Sequence, residues 1–396
     1  MSHGESKSTD WRTDWEFPAG VSYLNHGSFG PSPRPVRDAL SRWNDELESQ
    51  PMDFFIRRME PELDVAAVRL GEFVGADPRD LLLLDNATWA MNIVAHSVEL
   101  AAGDEVVLTD HEYGAVRRLW QAVCSRVGAR VVTARLPDPV DSVDAVVDAV
   151  FASVTPRTRM LVVSHVTSPT ALILPVSEIC ARARSSGVPV CVDGPHAVAM
   201  LPLKLSELGC DYYAASCHKW LSAPFGSGFL YVRRGMQSRM RSVVTSWGRS
   251  VGGRGPDWRD EFNWLGTRNP APLLSIPSAI DYLQGVGLDV FREHSFGLAG
   301  YARARLSAVP GVDPFVESTE WQGSMATLVV DAPGWPKPSL NETDALQQAL
   351  WSEHQIEVPL TRHGGQRLLR VSCHLYNTRS EIDGLCDALG TLLGGR

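Results

Sequence analysis

The stretch DYYAASCHKWLSAPFGSGFLY, residues 211–231, places a single lysine, Lys219, among small and apolar residues. The chain has 37 basic residues, of which only four are lysines: Lys7, Lys204, Lys219 and Lys337. Burial disfavours the charged ammonium, and the neutral amine that results is a nucleophile able to form Schiff bases. A lysine whose stem lies on apolar surface while its charged head stays in water is the alternative. The stretch alone leaves both interpretations open.

Apolar, β-rich runs alternate with helix-like segments on both sides of this lysine. The runs that read as buried strands are LLLLD (81–85), EVVLTD (105–110), RVVTARL (130–136), RMLVVSH (159–165), VPVCVDG (188–194) and GSGFLYV (226–232). Helical patterns such as GAVRRLWQAVCSRV and VSEICARARSSG lie between them, and the second closes on a glycine C-cap signal. This alternation predicts an α/β fold whose mainly parallel sheet is covered by helices on both faces.

The chain is long enough for two domains. We expect a polar tail at residues 1–22, disordered over its first 17 residues, and a large domain with an N-terminal arm at 23–268. A smaller α+β domain is expected at 269–396. The boundary follows a Gly- and Arg-rich stretch between residues 246 and 272.

Composition excludes several classes of function. A formal net charge of −9 argues against nucleic acid or an anionic membrane as the main partner. No window approaches the roughly 18 unbroken apolar residues of a membrane span, and the polar start lacks the apolar core of a secretory signal. The seven cysteines are scattered without a C-x-x-C pair, which indicates no disulfide framework or zinc site and suits a reducing cytoplasm. The sequence assigns no metal ligands.

A carboxylate gives Lys219 a chemical partner. Asp193 ends an apolar strand 26 residues upstream, where ligands of parallel sheets gather, although capping the next helix is its simpler use. A nucleophilic lysine and a strand-end aspartate together match pyridoxal phosphate, because the carboxylate keeps the pyridine nitrogen protonated and the ring then accepts electrons from the substrate. The turn DNATWAMN places Ala87 and Thr88 at the start of a helix, which is a ready phosphate cup.

Eight motifs in consistent order, from about residue 23 to the C-terminus, extend this match. They are YLNHGSFGPSPRPV, PMDF, DHEYGA, SHVTSPTALILP, VDGPHA, CHKWLSAPFGSGFL, GTRN and LLRVSCHLYNTRSEID. With these motifs the chain resembles the isopenicillin N epimerase-like branch of the class V aminotransferase-fold (fold-type I) enzymes that use pyridoxal 5′-phosphate (PLP). The branch includes epimerases, carbon–sulfur lyases and oxidative or decarboxylating deaminases.

The resemblance implies a role for each matching position. Lys219 would be the Schiff-base lysine, Asp193 the partner of the pyridine nitrogen and His196 a hydrogen-bond partner of the cofactor's phenolic oxygen. Arg370 would grip the substrate carboxylate, and Asn25 would line the pocket. Further cofactor-binding positions would be Ala87, Thr88, Tyr113, Ser168, Ser216, His218, Gly266 and Thr267. The last two would reach the phosphate from a second subunit, which implies a homodimer with shared active sites.

Departures from the pattern bear on the reaction. Pro195 and Ala171 stand where relatives carry a small residue and a glycine, and the loop between Trp247 and Trp264 is expected to face the substrate. The arginines of that loop have two alternative uses: they could bind a carboxylate-rich metabolite, or they could pair with the carboxylates of DWRDE. The span EVPLTRHGGQRLLR holds no cysteine, which argues against a cysteine desulfurase.

We therefore expect a cytoplasmic PLP enzyme that abstracts the Cα proton of an amino-acid-type substrate, with epimerisation or carbon–sulfur lysis as the outcome. The resemblance suggests a specialised-metabolite pathway such as antibiotic biosynthesis. Decarboxylating or oxidative deamination to an aldehyde, and transamination, remain alternatives. A nicotinamide dehydrogenase is disfavoured because no G-x-G-x-x-G follows an early strand, and a cofactor-free scaffold because both Lys219 and Asp193 are present.

Overall fold

The computed structural model of the protein describes residues 11–336 and 342–394. The first ten residues of the expected tail, and Lys337, lie outside these ranges. Within them the alternation of strands and helices expected from the sequence is present, and the two quoted helical patterns form helices at the expected places.

The strands, in chain order, are β1 Ser22–Tyr23, β2 Leu81–Leu84, β3 Glu105–Thr109, β4 Arg130–Ala134, β5 Thr158–Ser164, β6 Val190–Asp193, β7 Tyr212–Ser216, β8 Gly228–Val232, β9 Val312–Pro314, β10 Met325–Val330, β11 Ile356–Glu357, β12 Leu360–His363 and β13 Gln366–Ser372. The α-helices are α1 Arg34–Ser49, α2 Pro51–Asp53, α3 Met59–Val74, α4 Ala87–Ser97, α5 Gly114–Val127, α6 Val143–Phe151, α7 Val176–Ser185, α8 Leu205–Leu208, α9 Asp260–Asn263, α10 Ala271–Leu274, α11 Ile276–Val286, α12 Leu288–Leu306, α13 Ala345–His354 and α14 Arg379–Gly394.

The large domain is built on a seven-stranded sheet in the order β2-β8-β7-β6-β5-β3-β4. The pairs among β4, β3, β5, β6 and β7 are parallel, whereas β8 runs antiparallel to both β7 and β2. Every residue of β2, β3, β6, β7 and β8 is buried, because helices cover both faces of the sheet. The prediction of a mainly parallel, doubly covered sheet is confirmed.

The small domain is an antiparallel sheet in the order β12-β13-β10-β9, with α12, α13 and α14 contributing to its apolar core. The N-terminal arm joins this domain, since β1 pairs in parallel with β11 and Asn25 forms a bridge to Ser372. Helix α11 lies beyond the predicted boundary at residue 269, but it packs on α3 of the large domain. The boundary at residue 269 stays a prediction.

The predicted disorder of the tail is wrong for residues 11–17. Residues Trp11–Asp14 form a short 3-10 helix, and the Trp15 side chain is buried with its indole N–H donating to the Pro31 carbonyl at 2.9 Å. The Trp15 ring also packs edge-on against His374 and Tyr376. Burying a large aromatic ring and satisfying its N–H outweighs the polar character of the flanking residues. No helix within the described ranges has the length and apolar character needed to cross a membrane.

Candidate active site

The carboxyl ends of β5, β6 and β7 place Ser164, Asp193 and Ser216 along one edge of the large sheet. Ser164 lies opposite Asp193 in the parallel register, which brings the ends of neighbouring strands to one place. A cavity of about 760 Å³ opens at this edge. That volume falls in the range of small-molecule sites, and its position is the one expected for ligands of open α/β sheets.

Lys219 lies in the connection between β7 and β8 and lines this cavity. Its Nζ is 2.9 Å from Nε2 of His196. Burial and the nearby positive charge of Arg370 lower the pKa of Lys219 to about 7. The negative charge of Asp193 acts in the opposite direction but does not cancel this effect. Lys219 is therefore a buried amine that is easily deprotonated, which favours the first of its two sequence interpretations.

The tautomer of His196 follows from its second neighbour. The indole Nε1–H of Trp220 lies 3.3 Å from Nδ1 of His196, and an indole nitrogen can only donate. Nδ1 is therefore the acceptor. Burial, with the charge of Arg370 adding to it, holds the pKa of His196 well below its usual value, so the ring is neutral. Its single proton is on Nε2, which donates to Nζ of Lys219 and requires the amine to be neutral.

Asp193 presents a buried carboxylate to the cavity. Within the described residues, no group donates a hydrogen bond to it. Burial raises its pKa, and the charge of Glu112 adds to this while that of Lys219 opposes it. Glu112 is itself buried and accepts hydrogen bonds from the Ser164 amide and hydroxyl, at 2.9 and 2.6 Å, and from the Thr109 hydroxyl. The Asp193 carboxylate can thus accept a hydrogen bond from a cationic N–H group of a ligand in the cavity.

The N-terminus of α4 forms the opposite end of the cavity. Asn86 caps the helix by accepting from the Trp89 amide, and the Ala87 amide donates to Oγ of Ser216 at 2.9 Å. Thr88 and His218 also line this end, and the buried Nδ1 of His218 has no partner among the described residues. Helix N-termini attract anions through unpaired amides and the helix dipole. Gly228 allows the strands to approach here, because a Cβ would lie 2.6 Å from the Ala215 carbonyl oxygen.

Arg370 on β13 brings the small domain into the cavity. Its guanidinium donates to the Ser168 carbonyl at 2.5 Å and to the Ser28 hydroxyl at 2.8 Å, while its buried Nε has no partner in the described part of the chain. Burial lowers the pKa of Arg370 to about 10, and the group stays charged at neutral pH. A charged guanidinium with unused donors in a closed site is suited to binding a carboxylate.

Most of the residues predicted from the sequence meet at this cavity. Those that line it are Ala87, Thr88, Tyr113, Ser168, Asp193, His196, Ser216, His218, Lys219 and Arg370. Asn25 does not line it: its amide lies 3.5 Å from Glu357, and its buried Oδ1 has no partner among the described residues. Gly266 and Thr267 do not line the cavity of their own chain, although the next residue, Arg268, forms an ion pair with Asp85 at the cavity wall.

The loop between Trp247 and Trp264 is not part of the cavity wall within one chain. Arg254 pairs with Asp257 and Asp260, and Arg259 pairs with Asp257. The loop arginines therefore take the second alternative, pairing with the carboxylates of DWRDE. Of the two departures, Pro195 lines the cavity, whereas Ala171 lies behind it with a left-handed φ of +57°, a backbone region that favours the glycine of relatives.

Three contributors were not singled out from the sequence. Trp220 fixes the His196 tautomer, Ser28 holds Arg370, and Glu112 acts on Asp193. Each of the three lies inside one of the eight motifs and within three residues of a predicted site residue. The signal that could have found Trp220 is its position beside Lys219, but its partner His196 becomes visible only in three dimensions.

The donor set fits PLP. Among the described residues, the Asp193 carboxylate and Nδ1 of His218 have no hydrogen-bond partner. Together with the neutral amine of Lys219 and the helix start at α4, they are complementary to a pyridine nitrogen, an aldehyde and a phosphate. Asp193, Lys219, Ala87, Thr88, Ser216 and His218 are the residues that would hold these groups.

Comparison with known proteins gives the same cofactor. The family model "Aminotransferase class-V" matches residues 52–385. The chain is 40% identical to an isopenicillin N epimerase of Amycolatopsis lactamdurans over 94% of this chain and 95% of the relative. It is 30% identical to a putative L-cysteine desulfhydrase of Oryza sativa subsp. japonica, over 98% of this chain and 89% of the relative.

The fold also matches solved structures. A cystine C–S lyase in complex with its product cysteine persulfide superposes with a TM-score of 0.81 at 24% identity, over 94% of this chain and 98% of that chain. At this identity the match speaks for the fold alone. The family model and the relatives go further, and they establish that this chain is a PLP-dependent enzyme belonging to the class-V aminotransferase family.

Proposed function

We propose that the protein removes the Cα proton of an amino-acid group in a small substrate, with Lys219 as the base, and that a proton delivered to the opposite face of Cα by a second acid gives the epimer. The observation that carries this proposal is the contact of 2.9 Å between Nζ of Lys219 and the protonated Nε2 of His196 in a cavity that also holds Arg370. An amine whose pKa is lowered to about 7 is matched to general-base work near neutral pH.

The substrate carboxylate would bind Arg370. Its guanidinium is held in place by Ser168 and Ser28, so orientation costs little when the substrate arrives. Bound PLP supplies an electron sink for the charge that develops at Cα, and Asp193 keeps its ring nitrogen protonated. His196 would hold the proton on Nε2 that keeps Lys219 unprotonated until the Cα proton is taken.

Epimerisation is favoured over sulfur transfer by the positions of the cysteines. All seven cysteines are buried and free, and none lines the cavity. A sulfur-accepting thiol is therefore missing from the site. The relative with 40% identity is an epimerase, which supports the same choice.

Carbon–sulfur lysis is the second candidate. It starts with the same proton abstraction and needs only a leaving group on the substrate's β carbon. The similarity to a putative L-cysteine desulfhydrase favours it over decarboxylating deamination or transamination.

The working unit is proposed to be a homodimer in which Gly266 and Thr267 of a second copy complete the phosphate end of the cavity. Large apolar side chains near the cavity support this, since Phe29, which lines it, and Phe225, whose ring is close to His218, are 65% and 55% exposed. A second copy would cover them. We also propose a cytoplasmic location, in keeping with seven free cysteines.

The reaction is tested by incubating the holoenzyme in D₂O with amino-acid substrates and analysing the products by NMR and chiral chromatography. Deuterium at Cα with inversion is the expected result, and Lys219→Ala should abolish both. Release of a thiol and a keto acid would show that the reaction is carbon–sulfur lysis and not epimerisation. Oxygen uptake with CO₂ release would reject proton abstraction. Lys204→Ala, which removes an exposed lysine paired with Glu207, is the matched control and should leave turnover unchanged.

The dimer is tested by size-exclusion chromatography with light scattering, run alongside activity assays. We expect a dimer. Mixing inactive Lys219→Ala chains with inactive chains altered at Thr267 should restore up to about a quarter of the activity. Random exchange makes about half of the dimers mixed, and one of the two sites in each mixed dimer regains both residues. An active monomer would reject the shared site.

A further inference from the structure

A second group of titratable side chains lies where the two domains meet, outside the cavity wall. Asp110 and His111 follow β3 of the large domain, and His363 ends β12 of the small domain. One ligand atom from each of the three side chains lies within 4.8 Å of the other two. None of the three lines the cavity, and the proposed reaction does not use them.

Hydrogen bonds fix the orientation of the two large-domain members. Nδ1 of His111 lies 2.8 Å from the Thr170 hydroxyl, which leaves Nε2 facing Asp110 at 3.9 Å. Oδ1 of Asp110 accepts from the Leu136 amide at 3.0 Å. A histidine whose far nitrogen is tied to a polar partner is the usual arrangement around a protein-bound metal, because that second bond sets the tautomer and the ring angle.

His363 completes the group from the small domain. It immediately precedes the turn Gly364-Gly365, whose φ angles of +55° and +80° are left-handed, and the tight turn sets the end of the hairpin against the large domain. The rings of His363 and His111 are 4.0 Å apart at an angle of 39°. Neither ring nitrogen of His363 hydrogen-bonds to a described residue. Phe315 packs against both rings and shields one side from water.

We propose that Asp110, His111 and His363 bind one divalent first-row transition-metal ion, with Zn²⁺ as the reference case, and that the ion fastens the small domain to the large one. Two imidazoles and one carboxylate are a donor set for such ions, and water would complete a tetrahedral shell. The hard, oxygen-seeking ions Mg²⁺ and Ca²⁺ do not suit two imidazoles.

The position of the group gives the ion a consequence for the active site. His363 lies seven residues before Arg370 on the same hairpin. On the other side, Thr170 contacts both His111 and the Thr167 hydroxyl, in the short segment whose Ser168 carbonyl accepts from Arg370. An ion here would hold the hairpin and that segment together, as the hydrogen bond from Thr361 to the Pro169 carbonyl already does in part. This role does not depend on which reaction the enzyme catalyses.

Equilibrium dialysis of the EDTA-treated holoenzyme against ZnCl₂ tests the binding. We expect one zinc ion per chain in the wild type. His363→Ala and Asp110→Asn should each weaken binding by at least about tenfold. Asp110→Asn keeps an oxygen that accepts from the Leu136 amide, so this variant should fold normally. Weaker zinc binding in Asp110→Asn would therefore not be explained by a folding defect. His96→Ala removes an exposed helix histidine that bonds to Asn92 and should bind zinc as the wild type does. Absence of stoichiometric binding, or equal loss in the His96 variant, would overturn the site.

Hydrogen–deuterium exchange tests the fastening. Zinc should slow amide exchange in residues 359–367 and 109–113 of the wild type and leave exchange in His363→Ala unchanged. Zinc binding without slower exchange in these two segments would support the metal site but overturn the proposal that the ion fastens the two domains together.

Discussion

The Nζ atom of Lys219 accepts a hydrogen bond from Nε2 of His196 at 2.9 Å, and Trp220 dictates this direction by donating to Nδ1 of the same ring. The residue that follows the lysine in sequence therefore controls the lysine's protonation through a histidine 23 residues upstream. This relationship leads to the first prediction.

Trp220→Phe should raise the pKa of Lys219. Without the indole N–H, His196 can carry its proton on Nδ1 and accept at Nε2, which stabilises the ammonium form. The acidic limb of the kcat profile, which reports the enzyme–substrate complex in which Lys219 is a free amine, should move to higher pH by up to about one unit, the value of one hydrogen bond. Trp120→Phe is the matched control, since the Trp120 indole N–H is buried without a partner among the described residues. An unchanged profile in Trp220→Phe would contradict the tautomer assignment.

Arg370→Lys should raise KM more than it lowers kcat. Lysine cannot reproduce the planar fork that binds a carboxylate while also donating to Ser168 and Ser28. Losing one charge-assisted hydrogen bond costs about 2 kcal/mol, so KM should rise by roughly 30-fold. Steady-state kinetics measure this effect, with Arg379→Lys, an exposed arginine over Tyr301, as the control. An equal fall in kcat with constant KM would place Arg370 away from the substrate carboxylate.

Gly194→Ala should destabilise the protein and weaken cofactor binding. A Cβ at this position would lie 2.1–2.2 Å from the Tyr213 ring, which is buried and bonded to His165 at 3.0 Å. Overpacking costs about 1–3 kcal/mol, and the backbone shift that relieves it displaces Asp193. Thermal unfolding and the cofactor absorbance measure the two effects. Gly285→Ala lies in helix α11 with open space around its Cβ, and it should lower neither stability nor cofactor binding. A Gly194→Ala variant with normal stability would contradict the rigid packing of Tyr213.

Glu112→Gln should stabilise the protein more at pH 8 than at pH 5. Burial raises the pKa of Glu112 above its usual value of 4.5, so above that pH the folded state holds a proton that the unfolded state has released. The stability of the wild type therefore falls as pH rises from 4.5 through the raised pKa, and this loss is absent in the glutamine variant. Urea unfolding at the two pH values measures it, with exposed Glu178→Gln as the control. A difference that does not change with pH would show that Glu112 is not a titrating group.

The fold and most of the site could be predicted from the sequence because they depend on short-range patterns. Apolar runs of strand length with intervening helical periods define a mainly parallel sheet, and in such a sheet the ends of neighbouring strands meet at one edge. Asp193 and the turn at Ala87 could therefore be assigned to one cavity from a strand end and a helix start, whereas Ser216 was implied by the family resemblance. The polar composition of the tail predicts disorder, whereas the buried Trp15 side chain anchors the segment, a contact that composition does not reveal.

The chain by itself determined the class of fold, and it predicted which residues carry the chemistry: a lone lysine in an apolar setting, a carboxylate at a strand end and an arginine in the small domain. Only the tertiary structure decided how they act on one another. Hydrogen-bond direction, pKa shifts and contacts between domains depend on distances of a few ångströms between residues far apart in sequence, as with Trp220 and His196, Glu112 and Asp193, or His111 and His363. Sequence spacing does not encode such distances, because they are set when distant segments pack within the large domain and, for His111 and His363, when the two domains pack together.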